Sequence, residues 1–422
     1  MEVPVMRFGM FRSHYSPILA DFGSSGVKLM QSTTGEFPTV AAAAFIPFSD
    51  DMRSRPVEER FELLAREMPE ALRENGFRGS RLVVAPFSQH MLVQHIGVPT
   101  GDAERAESVI RLQIAIGLGC DPDGLVVRTN QVCETTRDGT AKLEHIAFAM
   151  SRDDVMRYVD LARRSKLKIV GVHGEISALV HAFDHVNRRA EDNDIATMYV
   201  DIGYGGTKVA ICHGDRLAFA KSITIGGRTI DTRLAEVRRC TVGEARTARL
   251  SEGLKPIRIG MPAPAVTAHA PSAMEGGMAI LRAATAKIEA DDAVTITAAD
   301  RRGAGAAPAL GHPVAADRPS GMTDAVRDTV ESLSDELSMC MRYHGALFRD
   351  RRIDRVVFLG GEARDTGLCQ SLASGLRLPA KVGDPMARFL MNGKAPKGLP
   401  DPQLPHPGWA TACGLASSPT DL

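Results

Sequence analysis

Two short stretches of this chain carry the residue types and spacing that phosphate chemistry needs. Asp21-Phe22-Gly23-Ser24-Ser25-Gly26 and Asp201-Ile202-Gly203-Tyr204-Gly205-Gly206-Thr207 stand 180 positions apart, and each is an Asp leading into a Gly-rich turn between two β-like runs. A tight hairpin with Gly and Ser at its tip aims backbone N–H groups at one point, a concave set of donors that can hold phosphate oxygens. A carboxylate at the hairpin entrance can hold Mg²⁺, usually through water. Either turn alone is an ordinary hairpin signal. The pair, in the same strand context, could clamp a polyphosphate from both sides. Glu175 stands where a strand turns into a helix, 26 residues before Asp201. There it could polarise a water or hold the metal, or simply favour a helix N-terminus. Gly360-Gly361 follows the apolar run VVFL, and glycines let a backbone lie flat against a ligand.

The elements that must position these residues are legible in the pattern. PILADFGSSGVKLM (17–30) and TMYVDIGYGGTKVAI (197–211) both read as strand, turn, strand. Residues 57–75 carry Phe61, Leu64, Met68 and Leu72 on one helical face, and 152–166 repeat the device with Val155, Tyr158, Val159 and Leu161. RLVVAPF (81–87) is a buried-strand run, and 168–183 is a strand running into a helix. Between them, 90–99, 102–118, 125–134 and 143–150 read as strand, helix and a hairpin closed by RDGT. A long helix (323–349), the strand RVVFLGG (355–361), a helix near 366–376 and a last helix in GWATACGLA complete the regular elements. Residues 251–320 differ in kind: 19 alanines, seven prolines and no aromatic ring. Such a stretch has little to pack against, so it is expected to be a mobile insertion or a peripheral satellite.

Composition narrows the functional classes. The chain has 422 residues, 44% of them apolar and 24% charged, as a sizeable soluble core requires. Lys plus Arg and Asp plus Glu both number 51, so no global charge draws it to nucleic acid or an anionic membrane. Seven cysteines without a C-x-x-C suggest neither a disulfide framework nor a zinc site. No run of 18 apolar residues and no signal-peptide h-region occur, so a cytoplasmic location is expected.

The order of hairpin, connecting Glu helix, second hairpin and strand-Gly-Gly resembles the actin-like ATPase superfamily. PILADFGSSGVKLMQ, YVDLARRSKLKIVGVHGEISALVHAF, ITIGGRTID and RVVFLGGEARDTGLCQSLASGLRLPAKVGDP together resemble the PilM family of type IV pilus and competence machinery. The resemblance covers about 17–250 and 323–415. It implies an α/β, two-lobe actin-like fold of duplicated ribonuclease H-like domains, with a small subdomain inserted near 89–150. The first lobe would then span 17–190 after a tail of 1–16. The second would span 191–395, and 396–422 would return its last helix to the first lobe. The resemblance further implies ATP and Mg²⁺ as ligands. Asp21 and Asp201 would face the metal. Gly23, Ser24, Ser25, Gly203, Gly205, Gly206 and Thr207 would touch phosphates. Gly227, Gly360 and Gly361 would line the nucleoside, and Glu175 would be the catalytic-water or metal carboxylate. The hairpin tips, with Gly23 and Gly203, would face each other across one cleft.

Three residues depart from the family pattern. Tyr204 puts a ring beside the second turn, Glu362 stands at the third Gly of G-G-G, and Arg246 replaces the ribose-binding acid of A-E-x-x-K. The departures bear on affinity, base preference and turnover more than on fold. The resemblance implies a nucleotide-responsive adaptor, at most a slow ATPase. Its partner would be the cytoplasmic tail of a PilN-like inner-membrane protein, taken in a groove near 89–150. Pilus ATPase or platform proteins would be further partners, and homo-oligomers are possible within the family. Two other readings share the fold. A sugar kinase needs an Asp base in a D-G-N-type context, and none stands out here. An FtsA-like filament protein ends in a basic amphipathic helix, whereas no Lys or Arg follows Lys397.

Overall fold

The computed structural model describes residues 14–35, 37–137, 139–186, 190–259, 321–389, 396–399 and 404–420 except 419. The first sheet contains β1 (Ile18–Gly23), β2 (Gly26–Ser32), β3 (Val40–Pro47), β4 (Arg81–Ala85) and β8 (Lys168–Val172), in the order β3-β2-β1-β4-β8. β1 runs antiparallel to β2 and parallel to β4, which runs parallel to β8. Alternation along β1 explains why the sheet is covered on both sides. Ile18, Ala20 and Phe22 pack on Phe61, Leu64 and Met68 of the helix Val57–Glu74 and on Tyr158 and Leu161 of the helix Arg152–Arg164. Leu19, on the other face, packs with Val83, Ala178, Trp409, Cys413 and Leu415.

The second sheet repeats the topology: β9 (Ala196–Ile202), β10 (Thr207–His213), β11 (Arg216–Ile223), β12 (Arg355–Leu359) and β13 (Ala380–Val382), in the order β11-β10-β9-β12-β13. Met198, Val200 and Ile202 point into a core with Leu333 and Leu337 of the helix Arg327–Leu347 and Leu368 and Leu372 of the helix Thr366–Leu376. Two five-stranded sheets of the same order and sense make this the duplicated actin-like architecture.

Between β4 and β8 a third sheet is inserted, from β5 (Leu92–Pro99), β6 (Leu125–Arg137) and β7 (Thr140–Ser151) in the order β5-β7-β6. The helix Ala106–Leu118 covers one face with Ile110 and Ile114. From the other face, Ile146 and Phe148 join Ile176 and Leu179 of the helix Glu175–His181 and Tyr199 and Ala210 of the second lobe. The inserted sheet is also tied to the second lobe by polar contacts. Tyr343 Oη donates to Glu144 Oε1 at 2.8 Å, and the Ala220 N–H donates to His95 Nε2 at 3.3 Å.

Two details differ from the pattern-based expectation. Residues 251–259 are not part of a loose insertion. Leu254 and Ile257 are buried in the second core, and their N–H groups are taken by the Asp365 carboxylate and the Ser371 hydroxyl. The rest of that stretch, 260–320, lies outside the described residues. Tyr15 and Ser16 pair with Thr33 and Ser32, extending the end of β2. The helix Ala410–Leu415 is buried along its whole length against the helix Glu175–His181, and a Cβ at Gly414 would overlap the Ala178 carbonyl. Among the described residues no helix is long and apolar enough to cross a membrane.

Candidate functional site: the cleft between the hairpins

Both Gly-rich turns close tight hairpins. In the first, Asp21 stands directly opposite Lys28 and Gly23 opposite Gly26. In the second, Asp201 stands opposite Lys208, and the Gly203 N–H donates to the Gly206 carbonyl at 2.9 Å. Directly opposed residues share one face of a sheet, so each hairpin sets an ammonium beside its carboxylate. Lys28 Nζ lies 3.4 Å from Asp21 Oδ2. Lys208 Nζ reaches further, across to the first lobe, and lies 3.2 Å from Glu175 Oε1. Ser88 Oγ donates to Glu175 Oε2 at 2.5 Å. The two lysines were missed from sequence, although the signal was present: both stretches read D-x-G-x-x-G-x-K.

The three carboxylates expected around a metal are thus brought together, and all are buried: Asp21, Asp201 and Glu175 are 4%, 7% and 8% exposed. Burial pushes the Glu175 carboxyl up; the Lys208 ammonium pulls it back and the Asp21 charge adds to the rise. Asp201 is raised for the same reasons in the same order. Burial pulls Lys208 down, but Glu175, Asp201 and Asp21 outweigh it and hold its proton more tightly than usual. A carboxyl whose pKa is raised by folding is unfavourable to the folded state above that pKa, and the penalty is relieved as pH falls through it. Asp201→Asn is therefore expected to stabilise the protein at pH 7, by about 0.5–2 kcal/mol, the scale of relieving a strained functional group. The check is chemical denaturation at pH 7; a lower midpoint for the variant would contradict this account of the cleft.

The hairpin tips touch. The Ser24 hydroxyl lies against Gly205, where a Cβ would overlap it. Ser25, Gly203 and Gly206 lie at the same two tips. Thr207 differs from expectation. Its side chain is fully buried and its hydroxyl donates to the Ile225 carbonyl at 2.7 Å, so it is not available to a phosphate. Gly360 adopts φ 88°, and a Cβ there would overlap the Ile202 carbonyl and the Asp201 carboxylate. Its glycine is required by the approach of β12 to β9. Gly361 is exposed, with open space where a Cβ would stand. Gly227 opens the helix Gly227–Arg238, and a Cβ there would overlap the Glu362 carboxylate.

That last contact belongs to a buried charge network. The helices Gly227–Arg238 and Val242–Glu252 supply Asp231, Arg246 and Arg249. Arg249 Nε donates to Asp231 Oδ1 at 2.6 Å and Nη2 to Glu362 Oε2 at 2.7 Å. Arg246 Nη1 lies 3.3 Å from Glu362 Oε1 and 3.4 Å from Asp231 Oδ2. Arg249 and Asp231 are 0% exposed and Glu362 2%. The Arg246 guanidinium covers the Tyr204 ring at 4.4 Å, and Arg53, from the first lobe, lies 5.1 Å from the same ring.

Residues arranged in this way do not fit a bound magnesium nucleotide. The Glu362 carboxylate stands against Gly227, on the wall expected to receive the nucleoside, and Lys208 stands among the carboxylates expected to receive the metal. Among the described residues no group of three or more His, Cys, Asp or Glu side chains is placed to hold a metal ion.

A separate cavity of about 640 Å³ opens where the inserted sheet meets both lobes. It is lined by four consecutive residues of β6, Thr129 to Val132, and by Arg216 and Arg351 of the second lobe, among others. Among the described residues β6 is the last strand of its sheet, and β11 lies near it without pairing.

The fold and its paired hairpins define an actin-like two-lobe protein. The arrangement is PilM-like: a solved structure described as a PilM–PilN type IV pilus biogenesis complex superposes on 95% of this chain and 97% of its own, with a TM-score of 0.66 and 18% identity. The ethanolamine utilization protein EutJ from Carboxydothermus hydrogenoformans matches at a TM-score of 0.46 and 13% identity, over 97% of this chain and 91% of its own. MreB5 of Spiroplasma citri bound to ADP matches at 0.39 and 12%, over 94% of each chain. No family model matches the chain, and no curated protein does either. At these identities the likeness is one of fold.

Proposed function

We propose that this chain is a cytoplasmic actin-like adaptor of a type IV pilus or related secretion platform, and that it holds the short tail of a PilN-like inner-membrane protein. The observation that carries this reading is the cavity at the free edge of β6. An extended peptide can add to an exposed strand edge, with main-chain hydrogen bonds supplying affinity and side-chain pockets supplying choice. Here such an edge borders a cavity between the inserted sheet, the second lobe and the helix Glu175–His181. The reading is further supported by the likeness in fold to a structure whose description pairs PilM with PilN. Association with the membrane would then be peripheral, through the partner. The two competing readings lose support. The whole of the helix Ala410–Leu415 is buried, which leaves that helix no face for a membrane. A kinase needs an open nucleotide cleft, and Glu362, Arg249 and Tyr204 are buried in this one.

The test is capture of the PilN-like tail as a labelled peptide. Wild type is expected to bind it. Asn130→Trp, at an exposed position lining the cavity, is expected to weaken binding about tenfold or more, the loss that comes with one misfit side chain in a pocket. Equal binding by both would place the tail elsewhere on the molecule.

A further inference from the structure

We propose that this chain closes its actin-like cleft with its own side chains: the Lys208 ammonium takes the place of the divalent cation, and the Glu362 ion-pair network takes the place of the nucleoside. In a cleft built for a magnesium nucleotide, opposed carboxylates need an external cation and the two lobes need an external ligand to bridge them. Both needs are met here from within. Lys208 belongs to the second lobe, and its nearest carboxylate, Glu175, belongs to the first. Asp21 and Asp201, one from each lobe, act on the same ammonium. Its side chain is 12% exposed, so solvent competes weakly for it. A tethered cation has no association entropy to lose and cannot be diluted away.

Closure continues along the cleft. Ser24 of the first lobe lies against Gly205 of the second, and the Asp50 carboxylate lies where a Cβ of Gly243 would stand. The Tyr204 ring is shared between Arg53 of the first lobe and Arg246 of the second. Behind the ring, each oxygen of Glu362 has an arginine partner. The three departures Tyr204, Arg246 and Glu362 thus form one contiguous set. An acid lost at position 246 reappears at 362 on the opposite wall, paired to the arginines of the helix Val242–Glu252. A nucleoside would have to displace a buried carboxylate from two guanidinium groups, leaving those charges without partners. The inference stands apart from tail binding, which uses a different cavity.

The experiment measures melting temperature with and without 10 mM MgCl₂, together with calorimetric titration of Mg-ATP, on wild type and on Lys208→Met. Wild type is expected to show no shift with Mg²⁺ and no heat of ATP binding up to about 1 mM nucleotide, the top of the ordinary KM range. Lys208→Met keeps the length of the side chain and removes its charge. Freed of the ammonium, Asp21, Asp201 and Glu175 are then expected to draw together around Mg²⁺, raising its melting temperature by about 3 °C or more. Saturable ATP binding by wild type at or below about 1 mM, or equal Mg²⁺ shifts in both proteins, would overturn the proposal. Should the variant fail to fold, the wild-type titration still decides: ATP binding overturns the proposal, and its absence alongside an unmoved melting temperature upholds it.

Discussion

Replacing Arg249 by methionine is expected to cost about 3–5 kcal/mol of folding free energy, the scale for removing one partner of a buried ion pair. The side chain is fully buried and bridges Asp231 to Glu362. Without it two buried carboxylates are left with Arg246, whose contacts at 3.3 and 3.4 Å are longer than those they replace. The network already carries a cost, since Arg249 Nη1 is buried without a hydrogen-bond partner. A second variant separates charge from packing. Adding Glu362→Gly and Asp231→Asn to Arg249→Met removes the stranded charges and is expected to recover part of the loss. Denaturant unfolding followed by the fluorescence of the single tryptophan checks both. A loss below about 1 kcal/mol, the range of a surface pair, would mean that the network is not buried as described.

Truncating Trp409 to alanine is expected to cost about 3–5 kcal/mol, as for other large-to-small changes in a core. Trp409 is 4% exposed and packs with Leu19, Val83, Met386 and Leu415, so it fastens the helix Ala410–Leu415 to the face of the first sheet that carries Leu19. Because that helix also supports the helix Glu175–His181, the variant is expected to loosen Glu175 along with it. Circular dichroism during urea unfolding measures the stability. Hydrogen exchange at residues 175–181 measures the loosening, and unchanged protection there would show that the two helices are uncoupled.

The architecture was legible because its signals are local. Alternation in PILADFG and TMYVDIG, Gly at the turns and apolar residues at helical spacing in 57–75 and 152–166 each lie within one element. The carboxylates Asp21, Asp201 and Glu175 were legible for the same reason. The lysines that neutralise them were written at equal spacing in both hairpins, but that spacing has meaning only once the hairpin register sets residue i opposite residue i+7. The pairing of Glu362 with Arg246 and Arg249 joins residues 116 and 113 positions apart, which no local pattern encodes. Glu362 and Arg246 were visible singly as departures, and their compensation was visible only in three dimensions. Thr207 read as a phosphate ligand by position, yet a strand residue alternates faces, and its hydroxyl points to Ile225. Residues 251–259 share with the Ala- and Pro-rich stretch that follows them little more than the lack of Phe, Tyr and Trp, and Leu254 and Ile257 have apolar partners in the helix Thr366–Leu376 and its neighbours.

The adaptor reading is tested most directly by titrating a labelled PilN-like cytoplasmic tail into the full chain, with and without Mg-ATP. Saturable binding in the micromolar range, about −8 kcal/mol, is expected for a short extended peptide, with the same affinity in both conditions. Absence of binding up to about 100 μM peptide in either condition would contradict it.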